Sequence, residues 1–299
     1  SDLELAQRCR QWGLAGFVIK SHYVPTAARA ALVRSLVPDV DVLGALVLNS
    51  AIGGMNTMAV EIAARAGARI VWLPTVDPVN EMTDQSSLPP GANRPQWARL
   101  QQELREQGGK ITPVLVVDEQ HQVLPEVRSV LHASAAHNLV LATGHLDRDE
   151  IFAVVEAALA EGVRQIIVTH PDSPAENLSA EDQAALAERG AFLERCFTTP
   201  YTGKISWEQM CATIRASGPE HSFSIPIGSR LSGRRRIVQK GKRGEPRRSP
   251  PFIRTALLSS RRKARSSRRW RRRGHLVAST ISPKGNICDT SYQGDSKNR

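Results

Sequence analysis

The amino-acid sequence predicts an α/β fold of the (β/α)8 TIM-barrel type, lacking the first strand, with a disrupted eighth strand and a disordered basic tail. Three observations predict it. Short apolar runs alternate with segments of helical period, six times over; the runs are apolar at consecutive positions; and run after run stops on a polar side chain. Such alternation implies a parallel sheet covered by helices. An open doubly wound sheet fits the same alternation, but the strand count favours a barrel.

The elements follow in order. "GFVIKSHY", from Gly16, reads as a strand, and "PTAARAALVRSLV" as its helix, with Pro25 tolerated in a first turn. Strand "DVLGALVLN" precedes helix "MNTMAVEIAARAG", and strand "RIVWLPT" precedes a long polar insertion and helix "PQWARLQQELREQG". That insertion is too long for a simple connection and reads as a lid over the site. "ITPVLVVDEQHQVLPEVRSVLHASAAH" reads as a hairpin around Asp118 to Gln122 and one extra helix, an excursion from the repeat. Strand "NLVLATGH" with helix "DRDEIFAVVEAALAEG", strand "RQIIVTH" with helix "SAEDQAALAERG", and strand "AFLERCF" with helix "SWEQMCATIRAS" complete the series. "HSFSIPIG" supplies one further strand.

Charge divides the chain. Residues 1 to 220 carry 18 Lys+Arg against 26 Asp+Glu, whereas residues 221 to 299 carry 22 against 3. Two regions are therefore expected: an incomplete barrel over residues 1–226 and a basic low-complexity tail over residues 227–299. Four scattered cysteines without a C-x-x-C pair point to a reducing compartment. The absence of a signal-like or ~20-residue apolar stretch makes a cytoplasmic protein without membrane contact the expectation.

In a parallel barrel the loops after the strands build the site, so the strand-ending side chains are the candidates. They are Lys20 and His22, Asn49, Thr75 and Asp77, His145, His170 and Glu194. Two neutral imidazoles on consecutive strands, His145 and His170, can each offer one ring nitrogen to a divalent cation while the other is fixed by an acceptor. Lys20 reads as a cation for an anionic substrate, as a carbamylated metal bridge, or as the partner of a carboxylate. Gly53 and Gly54 before a helix start suggest amide groups that cradle an anion. Glu61 reads as solvated.

The ordered stretches "VIKSHYVPTAARA", "GALVLNSAIGGMNTMAVEIAARAGARIVWLPTVD", "LATGHL" and "IIVTHP" resemble bacterial and archaeal proteins related to the amidohydrolase superfamily of metal-dependent hydrolases, over about residues 5 to 220. The resemblance implies a divalent metal, zinc foremost with manganese or iron as alternatives, held by His145 and His170. It also implies Lys20 and His22 as a K-x-H element contacting metal or substrate; Asn49, Gly53, Gly54 and Thr75, by their strand-end and turn positions, are the candidates for binding substrate. Such a metal lowers the pKa of bound water and polarises the bond under attack. The implied reaction is hydrolysis of an amide, ester, lactone or similar bond of a small molecule.

Two departures bear on this. The H-x-H pair of a first strand is absent, and no Asp follows "HSFSIPIG". A catalytic zinc ordinarily takes three protein ligands, so impaired activity is expected. Two unpaired sheet edges would also lower solubility. The tail has three readings: out-of-frame translation of a GC-rich gene beginning near residues 223 to 228, an Arg-rich segment that binds nucleic acid through phosphates, or a solvated extension. The second supports a competing function, a non-catalytic binding protein with a nucleic-acid-binding tail.

Overall fold

The structure of the chain, a computed structural model, describes residues 1–82 and 95–225. Among the described residues seven strands form one sheet in strict chain order, every neighbouring pair parallel. They are β1 (Gly16–Ile19), β2 (Asp41–Val47), β3 (Ala68–Trp72), β4 (Val140–Ala142), β5 (Ile166–Thr169), β6 (Phe192–Cys196) and β7 (Ser222–Ile225). The helices are α1 (Asp2–Gln11), α2 (Ala27–Leu36), α3 (Thr57–Arg65), α4 (Gln96–Glu106), α5 (Pro125–Ala136), α6 (Arg148–Ala160), α7 (Ala180–Glu188), the single turn α8 (Thr198–Tyr201) and α9 (Trp207–Ser217).

Sequential order separates this sheet from a doubly wound one, whose strand order reverses at a switch point. Right-handed crossovers that all step the same way place the helices on one face, and the bare face is covered only if the sheet curls onto itself. It does curl. Laid flat, β1 and β6 would stand five strand spacings apart, roughly 24 Å. Yet Glu194 on β6 is the carboxylate acting most strongly on Lys20, just after β1, and Lys20 Nζ lies 5.3 Å from the centre of the Trp72 ring on β3. The described residues thus form a curled half-barrel flanked by helices, consistent with the expected TIM-like class. Among them β7 does not pair with β1, so the cylinder is not closed.

Alternation along the strands sorts side chains into two layers. Ala45, Val47, Ile70, Trp72, Ala142 and Ile167 pack on the inner face with Val18, Phe192 and Phe223. Leu46, Leu48, Val71, Leu73, Val168 and Leu193 point outward and bury against α3, α5, α6 and α7. A smaller cluster, with Ala6, Cys9, Ala30, Val33 and Val42, seats α1 and α2 on β1 and β2.

Several local details depart from the expected elements. α2 begins at Ala27, so Pro25 precedes the helix. Thr26 does not cap it: its hydroxyl donates to the Ile19 carbonyl at 2.6 Å and accepts from Ala45 N–H at 2.8 Å. That insertion sits at a register shift of β2 between Gly44 and Ala45. A Cβ on Gly44 would lie 2.5 Å from Ala27 Cα, so only glycine lets the helix close on the strand. The expected hairpin is reduced to one antiparallel bridge, Val117 to Val123, turned by the Asp118 carboxylate accepting from Gln120 and Gln122 N–H. α1, not anticipated, starts with a capping box between Ser1 and Glu4, a signature present in its first four letters.

The lid reading falls largely on residues 83–94, and the tail from residue 227 with its three readings falls wholly outside the described residues. No helix among the described residues is long and apolar enough to cross a membrane.

Candidate functional site

The loops leaving β1, β3, β4 and β5 meet at one end of the half-barrel, and each carries polar side chains to it. The β1 loop is tied down first. Asn49, wholly buried after β2, donates Nδ2 to the His22 carbonyl at 2.9 Å and to Thr75 Oγ1 at 3.0 Å. Its Oδ1 accepts from the N–H groups of Thr75 at 2.8 Å and Val76 at 3.1 Å. One amide side chain thereby clamps three strand ends. Asn49 and Thr75, expected to contact substrate, spend their hydrogen bonds on this clamp.

Thr75 Oγ1 also lies 2.8 Å from His22 Nδ1, fixing that imidazole. Trp97 of α4 packs against the ring at 6.0 Å between centroids. Burial, with Lys20 and His145 adding like charge, pushes His22 down to about 3, so the ring is neutral through the physiological range.

His145 is placed by close approach of two backbones. Gly144 has φ +70, and a Cβ there would lie 2.2 Å from the Pro74 carbonyl oxygen. His145 N–H donates to that same carbonyl at 2.9 Å. Its Nδ1 lies 2.7 Å from Glu81 Oε2, on a helical turn at residues 79–82. A carboxylate at that distance selects the Nδ1–H tautomer and leaves Nε2 as a lone pair. Asn80, beside it, donates to the His145 and Ala175 carbonyls at 3.2 and 2.9 Å, joining the β3, β4 and β5 loops.

His170 follows β5 with φ +48, the left-handed region that few non-glycine residues adopt. Its ring stands 5.4 Å from that of His145, tilted by 49°. His145 Nε2 and His170 Nδ1 are both buried without a hydrogen-bond partner among the described residues. Burial, then the positive charge of His145 and Lys20, holds His170 well below the ordinary imidazole range.

The structure thus brings Lys20, His22, His145 and His170 to one mouth. It sends Gly53 and Gly54 elsewhere, into a separate cavity of about 470 Å³ with Ser50, Val114, Leu115 and Glu126 in its lining. Their N–H groups already donate to the Ser50 and Asn49 carbonyls, and Asn56 caps α3 itself. No free amide cradle is left at these two glycines.

Glu81 and Glu176, not singled out from sequence, shape the mouth together with Glu194, which was. Glu81 came from the polar insertion, where spacing carries no signal. Glu176, 1% exposed on the β5–α7 loop, is pushed up to about 8 by burial. Glu194, an inward residue of β6, is pushed up to about 7 by burial with Lys20 opposing. The letters "FLERC" do contain this one: two consecutive charges in a buried strand must face opposite sides. Arg195 faces outward and donates to Asp172 at 2.7 Å, both side chains 2% exposed. Glu61, expected to be solvated, instead binds His137 Nε2 at 2.8 Å and Arg65.

The two open imidazole nitrogens suit a divalent cation, which is the chemistry of neutral histidine. Among the described residues, however, no group of three or more His, Cys, Asp or Glu side chains is arranged to hold a metal. Lys20 adds positive charge beside His22 and His170. These residues present half of a catalytic metal site and do not by themselves compose one.

A sequence family described as "Family of unknown function (DUF6282)" matches residues 1–194. No curated protein matches the chain. Among solved structures, an amidohydrolase from Pseudomonas aeruginosa aligns at 12% identity and a TM-score of 0.44, over 78% of this chain. The chain spans 63% of that protein's length.

Proposed function

This chain belongs to the DUF6282 family, and from that premise we propose that the strand-end cluster is the centre of a hydrolase acting on an amide, ester, lactone or similar bond of a small molecule. The observation that carries the reading is the pair of adjacent imidazoles, His145 and His170, each with a buried ring nitrogen that has no hydrogen-bond partner among the described residues, at a mouth that also holds Lys20 and His22.

The residues divide the work by their surroundings. Glu81 holds His145 with its Nδ1–H engaged, so Nε2 is the atom that takes a proton from an attacking water. Lys20, held on the inner face against Trp72, places positive charge at the mouth for an anionic group of the substrate. His22, neutral and fixed by Thr75, orients substrate without carrying charge. A divalent metal, zinc foremost, would add Lewis-acid polarisation if held by His145 and His170, and His145 Nε2 would then be its ligand in place of a base. Two ligands fall short of a catalytic set, so no step is assigned to it.

The test combines elemental analysis with hydrolysis of a panel of activated esters, lactones and anilides by the full chain and by His145→Ala and His170→Ala. The reading expects each substitution to lower kcat/KM by about 10²-fold or more. Parent-level turnover in both variants would sink it, and unchanged metal content in both would remove its metal-dependent part.

A further inference from the structure

Deeper in the same mouth two ionisable groups, Lys20 and Glu194, lie within electrostatic reach of each other, and among the described residues Glu194 Oε2 has no hydrogen-bond partner and Lys20 no ion pair. Lys20 lies two residues beyond Val18, and Glu194 two beyond Phe192; Val18 and Phe192 both pack in the inner-face cluster. Period-two alternation turns all four side chains inward. Glu194 is 5% exposed, and its Oε2 is buried with no hydrogen-bond partner among the described residues. Lys20 is half-buried, and its described contact is the face of Trp72, 5.3 Å from the ring centre. Among the described residues Lys20 forms no hydrogen bond and no ion pair, with Glu194 or any other carboxylate. Each nevertheless lies within electrostatic reach of the other.

An ammonium and a carboxyl taken from water and left unpaired are costly, and folds ordinarily let such groups close on each other. Here the strands keep them apart. β1 and β6 are separated round the curve by four intervening strands, and Trp72 of β3 occupies the space beneath Lys20. The gap between the two groups is therefore a place where a ligand supplies what each lacks: an anionic oxygen for Lys20 and a donor hydrogen for Glu194.

We propose that the gap between Lys20 and Glu194 is a ligand slot for a small carboxylate that also carries an N–H donor, the anionic oxygen on Lys20 Nζ and the N–H on Glu194 Oε2. The slot names the substrate class of the hydrolase reading and rests on it for the position of the reacting bond. An acylated amino acid has this pattern, with the carboxylate on one side of the amide N–H and the acyl carbonyl on the other.

Binding is tested without turnover. Isothermal titration of the full chain, treated with chelator, uses three probes: N-acetylglycinate, its neutral amide N-acetylglycinamide, and N-acetylsarcosinate, which keeps the charge and replaces N–H by N–CH3. N-Acetylglycinate is expected to bind at least tenfold more tightly than either comparator. Lys20→Met should abolish the preference for charge, and Lys20→Arg should restore it. Glu194→Met should abolish discrimination against the N-methyl compound while leaving the charge preference. Equal binding of the three probes by the parent chain, or a charge preference that survives in Lys20→Met, overturns the slot. Circular dichroism and melting confirm that each variant folds, and the three-probe comparison on the parent chain decides the matter if one does not. Hydrolysis without probe discrimination removes the slot alone, whereas discrimination without hydrolysis removes the hydrolase reading and leaves the slot.

Discussion

The guanidinium of Arg195 donates to Asp172 Oδ1 at 2.7 Å in the layer between the sheet and its helices, two residues past His170. Ser217 accepts from Nη2 at 2.8 Å, Thr213 donates to the same Asp172 oxygen at 2.9 Å, and Gln183 links the cluster to the Pro171 carbonyl at 3.0 Å. This network grips the chain immediately after the left-handed His170. Arg195→Met leaves the Asp172 carboxylate buried without its partner, and breaking such a pair costs about 3 to 5 kcal/mol. A chemical denaturation series is expected to show that loss, whereas a midpoint unchanged from the parent would mean the pair contributes nothing.

Stability should fall from pH 6.5 to pH 8. Glu150 and Glu194 are pushed up to about 7 and Glu176 to about 8 by burial. Each keeps a proton in the folded chain that the unfolded chain has already released, so raising the pH through these values favours unfolding. His22, depressed to about 3 from 6.5, acts in the opposite sense, and only below pH 6.5. Thermal melts across this window should flatten in Glu176→Gln. A melting temperature that rises with pH in the parent would contradict the assignment.

Gly144→Ala tests how His145 is placed. The added Cβ meets the Pro74 carbonyl in a backbone conformation with φ +70, a combination that costs on the order of 3 kcal/mol. Turnover should drop more than stability alone accounts for, because the shift moves Nε2. Full activity per folded molecule would show that the mouth tolerates the displacement.

Asn49→Ala removes the four hydrogen bonds that join the ends of β1, β2 and β3. Leaving their buried partners unsatisfied should cost about 3 kcal/mol. Hydrogen exchange at Thr75 and Val76 N–H should accelerate by orders of magnitude, and protection equal to the parent would refute the clamp.

The alternation of strand and helix, the count of seven strands and the positions where polar residues end them were legible in the linear order, because burial period and turn chemistry are local. So was the pairing of Lys20, His22, His145 and His170 with one end of the sheet, since parallel strands present their last residues to the same side. Pro25 was legible only as a helix-start residue; the diversion of Thr26 into β2 required the packing at Gly44.

The tautomer of His145 was decided by tertiary structure, through a glutamate 64 positions away on a short helical turn inside a polar insertion. So was the separation of Gly53 and Gly54 from the histidines, because backbone carbonyls nearby captured their N–H groups before any ligand. Glu194 and Arg195 are adjacent letters in a buried strand, and period two alone says they part. That one lies within electrostatic reach of Lys20 across the interior while the other closes on Asp172 follows from curvature and helix packing, distances that no local pattern encodes.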